Sequence, residues 1–115
     1  MVSKKQSELK QIFGKRIKLF RERKELNQPE FAKLMGYRSK GTVSQIEGGT
    51  IGMKDEKVAR AAKILGVSPI ILKLQADLPE DRLMLLADVI KLFEVPDAEN
   101  IDAIEILVKN ALAKI

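Results

Sequence analysis

The sequence predicts an all-α protein: five short helices forming one domain, followed by a C-terminal pair of amphipathic helices. Three observations carry this. Nowhere in the 115 residues do apolar and polar positions alternate as they would in a half-buried strand. Apolar residues recur instead every three or four positions, segment after segment. Glycine, proline or a capping residue then punctuates those segments where helix ends are expected.

Each element can be justified in turn. Residues 1–8 are polar, and from Leu9 an apolar face runs through Ile12, Phe13, Ile17 and Phe20. Lys15, Arg16, Lys18, Arg21, Arg23 and Lys24 are expected on its flanks. A basic amphipathic helix can also lie on a membrane, but charge interrupts this apolar face after Phe20, and a helical domain follows. Asn27 is a good N-cap for the second helix, and Glu30 three residues later completes a capping-box pattern. Pro29 sits in the first turn, where its missing N–H costs little. Phe31, Leu34 and Met35 are the expected buried face, with Ala32 allowing close approach of a neighbour, and Gly36 ends the helix. Ser39 or Thr42 caps the third helix, which buries Val43 and Ile46 and stops at Gly48-Gly49.

After a loop over Thr50 to Met53, Asp55 is the expected cap of a fourth helix with the stripe Val58, Ala61, Ala62 and Leu65, ended by Gly66. Ser68-Pro69, a cap followed by proline, opens a short fifth helix carrying Ile70, Ile71, Leu72 and Leu74. Gln75-Ala76-Asp77 is the expected junction, dividing the chain into 1–76 and 77–115. Beyond it Pro79 opens a helix with Leu83, Leu86, Ile90 and Phe93 spaced as in a coiled-coil seam. Val95-Pro96-Asp97 breaks it, and Ile101, Ile104, Val108, Ala111 and Ile115 continue the same alternation in a second helix.

Composition narrows the function. The chain has neither cysteine nor histidine, so disulfides, thiolate metal sites, the usual general base and the commonest metal ligand are all missing. No convincing nucleophile–base set is present, and the acidic cluster Asp77, Glu80 and Asp81 suits a helix N-terminus. An enzyme is not expected, nor a metal or any other cofactor. No apolar run approaches the ~20 residues needed to span a bilayer, and no apolar segment follows the basic N-terminus as in a secretory signal. A cytoplasmic, non-membrane protein is the expectation. The net charge of +5 conceals an asymmetry. Residues 1–76 hold 17 Lys/Arg against 7 Asp/Glu, and residues 77–115 hold 4 against 9. The basic part suits a polyanion such as nucleic acid.

The stretch from Asn27 to Gly49 sharpens that expectation. Two short helices meet at a tight turn ended by Gly36, as a helix-turn-helix requires. The second offers Ser39, Lys40, Thr42, Ser44 and Gln45 at and near its N-terminal end. Amide and hydroxyl groups can read adenine, and lysine can reach guanine O6 and N7. Arg38 and Tyr37 flank them in the turn. Lys54 and Lys57 are either phosphate contacts or plain surface lysines.

The run from Arg16 to about Leu72 resembles the Cro and phage-repressor type of helix-turn-helix domain, the XRE-like regulators. The marks are Arg16-Ile17 and Arg21, then Gln28, Ala32 and Gly36, then Thr42-Val43-Ser44-Gln45-Ile46-Glu47 and Gly49, and finally Leu65-Gly66-Val67-Ser68. The resemblance implies a lambda-repressor-like DNA-binding domain in an intracellular dimer that binds operator DNA and represses transcription. It implies that Gln28 touches a phosphate and braces the recognition helix, that Lys40, Gly41 and Gln45 face bases with Thr42 and Ser44 beside them, and that Arg21 and Glu47 form a buried salt bridge. A carboxylate in a helix's last turn opposes the macrodipole, which also favours a paired Glu47. This sequence departs from the pattern twice. One extra residue lies between Gly36 and Thr42, so either the turn bulges or the third helix gains a residue at its start. Gly41 brings no side chain to a position where a base-reading one is common, which shifts weight to DNA shape or to Arg38 and Tyr37.

One recognition helix reads only a few base pairs, and two-fold dimers place two of them about 34 Å apart. Two amphipathic helices cannot bury both seams within one thin hairpin, so pairing with a second copy through Leu83, Leu86, Ile90, Phe93, Ile101, Ile104, Val108 and Ile115 is expected. Folding of the tail onto its own domain is the alternative. A different class remains open: an antitoxin or adaptor whose acidic helices capture a protein partner (a toxin or an antirepressor), with DNA binding for autoregulation.

Overall fold

The computed structural model describes residues 4–93 and Lys109, all helix, turn or loop. The chain divides into two compact units, Met1–Asp77 and Leu78–Ile115. The first unit holds five helices: α1 (Lys4–Arg23), α2 (Gln28–Met35), α3 (Lys40–Glu47), α4 (Asp55–Leu65) and α5 (Pro69–Lys73). The described part of the second is α6 (Glu80–Phe93).

The core of the first unit is drawn from every helix. Ile17 and Phe20 of α1, Phe31, Ala32 and Met35 of α2, and Val43 and Ile46 of α3 are buried together with Val58, Ala61, Ala62 and Leu65 of α4. Ile70, Ile71 and Leu72 of α5, with Leu74 just after it, close it. α1 packs on α3 and α5, α3 on α2, and α4 on α2 and α5. The short helices could not hold alone, because nucleating a helix costs more than two turns return, so this packing is what sustains them.

The helix ends follow local chemistry. Asn27 accepts from the Glu30 amide while the Glu30 carboxylate accepts from the Asn27 amide, a complete capping box. Ser39 and Ser68 cap α3 and α5. The turns after α1, α2, α3 and α4 each place one residue in the left-handed region, and three of the four are glycine, at 36, 49 and 66. The fourth is Glu25 with φ of 58°, where the Glu25 amide donates to Glu22 O and the Leu26 amide to Arg21 O.

Three expectations need correction. Leu34 is 46% exposed: Phe31, Ala32 and Met35 centre the buried face, and position 34 lies a quarter-turn or more to its side. Asp55 does not cap α4; Lys54 occupies the cap position without a side-chain bond, and Asp55 is the first helical residue, where its charge still complements the helix N-terminus. Arg16 is no flank residue. It is 3% exposed, and its guanidinium donates to Leu74 O, to Ala76 O and, at 3.3 Å, to Ile71 O. Burial lowers its pKa from the ordinary guanidinium range to about 10, with Asp77 pulling the other way, so it is charged at neutral pH. It thereby satisfies carbonyls at the end of α5 and in the segment that follows it.

Candidate nucleic-acid interface

α3 is held on one side and free on the other. Val43 and Ile46 face the core, while Lys40, Gly41, Ser44 and Gln45 are exposed and Thr42 is half-buried. A helical period of 3.6 puts positions 40, 41, 44 and 45 on one face, away from 43 and 46. The eight residues span ~12 Å, close to the width of the DNA major groove. The helix begins at Lys40, with Tyr37 and Arg38 in the turn ahead of the cap. Ser39 Oγ accepts from the Gly41 amide at 3.3 Å, and Arg38 and Ser39 are both exposed. A Cβ at Gly41 would meet only Ser39 Oγ, at 3.3 Å. No packing demand therefore explains the missing side chain.

The last residue of α3 is the anchor. Glu47 accepts from Arg21 Nε at 2.6 Å and Arg21 Nη2 at 3.0 Å, and from Gln28 Nε2 at 3.1 Å. The Arg21 and Glu47 side chains are 9% and 5% exposed. The hydrogen bond from Arg21 to Glu47 raises the pKa of Arg21 further, outweighing desolvation. Arg21 Nη1 also donates to Leu26 O at 2.8 Å, tying in the turn before α2. One carboxylate thus binds α3 to both α1 and α2. Half-exposed Gln28 stands at the start of α2, where its amide braces Glu47.

Two glycines let α1 lie against the end of α3. A Cβ on Gly14 would sit 2.3 Å from Ile46 O and 2.7 Å from Glu47 O. One on Gly49 would sit 2.8 Å from Gln11 Cγ, and its φ of 78° already favours glycine. Sequence reasoning missed Gly14, although an isolated glycine inside a periodic helix is itself a signal of close packing. It also missed the roles of Lys57 and Arg60 on α4. Lys57 Nζ donates to Met35 O at 3.2 Å and lies 5.4 Å from the centre of the Tyr37 ring, and Arg60 Nε donates to Leu34 O at 3.1 Å. Tyr37 is half-buried, and that burial raises its phenol pKa.

Four of the residues expected to pair two copies, Leu83, Leu86, Ile90 and Phe93, belong to α6. Leu83, Leu86 and Ile90 are on one side of α6 and between 3% and 6% exposed in the single chain. Among the described side chains of α6, the exposed large apolar ones are Leu85 and Val89. Phe93 belongs to α6 with its side chain outside the described residues, as are Ile101, Ile104, Val108 and Ile115.

A basic five-helix unit that grips one short helix by its apolar side and final carboxylate, leaving the polar side exposed, defines a DNA-binding regulator of transcription. Residues 12–70, just over half of the chain, match the family model described as a helix-turn-helix domain. The chain belongs to that family. Among solved structures it is similar to the clp gene regulator ClgR from Corynebacterium glutamicum, with 25% sequence identity and a TM-score of 0.54. The match covers 76% of this chain and 88% of that one. No curated protein matches it. Among the described residues no helix is long and apolar enough to cross a membrane, and no cluster of acidic side chains is placed to hold a metal.

Proposed function

We propose that the chain is a dimeric, sequence-specific repressor that inserts α3 into the major groove of double-stranded DNA. The observation that carries this is the exposed face Lys40, Gly41, Ser44 and Gln45 on a helix whose opposite face and C-terminal end are fixed. Gln45 and Lys40 are the base-reading side chains, Thr42 and Ser44 line the groove beside them, and Arg38, Ser39 and Gln28 meet the phosphates at its edge. Gly41 brings the helix backbone close to the bases without adding a contact. Such a domain represses by occupying its operator.

The test is a duplex selected in vitro on the full chain, compared with a random-sequence duplex by fluorescence anisotropy. Gln45→Ala is expected to cost about tenfold or more on the selected duplex and little on the random one, as for a lost base contact of ~1–3 kcal/mol. Equal losses on both duplexes would remove Gln45 from the base-reading face, and failure to select any sequence would remove the reading altogether.

A second copy is the partner that a two-fold operator calls for. On α6, beside the seam Leu83, Leu86 and Ile90, the described side chains open to it include Leu85, 61% exposed, and Val89. The same exposed pair on an acidic segment also favours the reading as an antitoxin or adaptor, in which a basic protein occupies that face. Sedimentation of the purified chain, alone and after co-expression with neighbouring genes, separates the two.

A further inference from the structure

The turn between α2 and α3 is usually regarded as the property of the two helices it joins. Here a third helix completes it. An α-helix leaves its last four carbonyls without helical partners. At the end of α2 these belong to Ala32, Lys33, Leu34 and Met35, and all four are accounted for. The Tyr37 amide donates to Ala32 O at 2.9 Å and the Gly36 amide to Lys33 O at 3.1 Å, the ordinary glycine-ended closure. The Leu34 and Met35 carbonyls accept from Arg60 and Lys57, which stand three residues apart on α4. Two cations at a helix C-terminus also complement its macrodipole. The Lys57 ammonium does a second thing: it lies over the Tyr37 ring, 5.4 Å from the centroid. Tyr37 is two residues ahead of Ser39, which caps α3.

We propose that Lys57, assisted by Arg60, is a positioning residue for the recognition helix: it locks Tyr37 and the turn ahead of α3, and so fixes where the N-terminal end of α3 meets DNA. The ordinary expectation for a lysine at the start of the helix after a recognition helix is contact with a DNA phosphate. The two roles make opposite demands. A phosphate contact adds affinity for any sequence and steepens the salt dependence. A brace adds discrimination and leaves the salt dependence alone. The proposal rests on α3 being the reading helix.

The chain supplies its own probe, since Tyr37 is the only tyrosine and there is no tryptophan. Intrinsic fluorescence of the full chain therefore reports on this one ring. Lys57→Met should change that emission and lower the ratio of affinities for a selected duplex and a random-sequence duplex by about fivefold or more, the size of one lost contact. The slope of log affinity against log salt on the random duplex should not move. Lys57→Arg, which keeps a cation over the ring, should restore emission and ratio. The proposal is overturned if Lys57→Met leaves Tyr37 emission unchanged, or if the salt slope falls by about one while the ratio holds, which marks a phosphate contact. If the wild-type chain discriminates between no duplexes, the reading of α3 fails. Emission and amide exchange at Tyr37 to Gly41 then decide the brace by themselves, with unchanged exchange in Lys57→Met counting against it.

Discussion

Gly14→Ala sets two physical effects against each other with opposite signs. Alanine is the better helix former, and in the middle of a 20-residue helix the exchange by itself stabilises by about 1 kcal/mol. The new Cβ, however, would lie 2.3 Å from Ile46 O and 2.7 Å from Glu47 O. Ordinary contact needs about 3.4 Å, so α1 and the end of α3 must separate by about 1 Å. Both colliding atoms are backbone, and no side-chain rotation relieves them. The separation also pulls on the Arg21–Glu47 bonds of 2.6 and 3.0 Å. Overpacking of this kind costs typically 1–3 kcal/mol, more when rigid elements must move. The upper part of that range is appropriate here, leaving a net loss of about 2 kcal/mol after the propensity gain. For a chain of this size that is a fall of roughly 8–16 °C in Tm. Urea unfolding followed by circular dichroism measures it, and affinity for DNA should fall with it because α3 is the element displaced. A Gly14→Ala chain as stable as the parent, or more so, would mean that propensity decides at this position and that the close approach of α1 to α3 is not a constraint.

Other perturbations test other parts of the anchor. Glu47→Ala leaves the buried Arg21 guanidinium with only the Leu26 carbonyl and the exposed Glu22 carboxylate 3.8 Å away, and should cost about 3 kcal/mol, whereas a surface ion pair would cost under about 1 kcal/mol; denaturant midpoints distinguish the two. Glu25→Gly relieves a left-handed residue worth about 1–2 kcal/mol of strain and surrenders part of that to the freer unfolded chain. A net gain of up to about 1 kcal/mol is expected, and a loss would show that the Glu25 side chain stabilises the turn. Stability and DNA affinity should both be level from pH 6 to 8. With no histidine or cysteine, no side chain has its ordinary pKa in that window. The shifted groups keep clear of it too: Arg16 stays protonated up to about 10, while Arg21 and Tyr37 move upward. Above pH 10 the raised Tyr37 costs stability, since the unfolded chain loses that proton first, while the lowered Arg16 acts in the opposite sense. A midpoint that drifts between pH 6 and 8 would reveal a titrating group outside this set.

Much of the architecture is legible without coordinates because it is written in local chemistry. The capping box at Asn27 and Glu30, the Ser68-Pro69 opening and the stripe Val58, Ala61, Ala62 and Leu65 depend on spacing along one helix, and spacing is what a sequence displays. The polar face of α3 is legible for the same reason. Leu34 and Asp55 show the limit of that legibility, since one position decides between buried and exposed, or cap and first turn, and periodicity resolves no finer than that.

The opening expectation, a five-helix unit bearing a helix with a free polar face, was thus determined by the sequence alone. Tertiary structure decided what holds that helix. Gly14 matters because a backbone carbonyl of another helix lies against it, and Arg16 because three carbonyls some sixty residues on converge there. Lys57 and Arg60 look like surface cations until α2 ends beneath them. A helical period states which residues point together. Only the packed chain states what they point at.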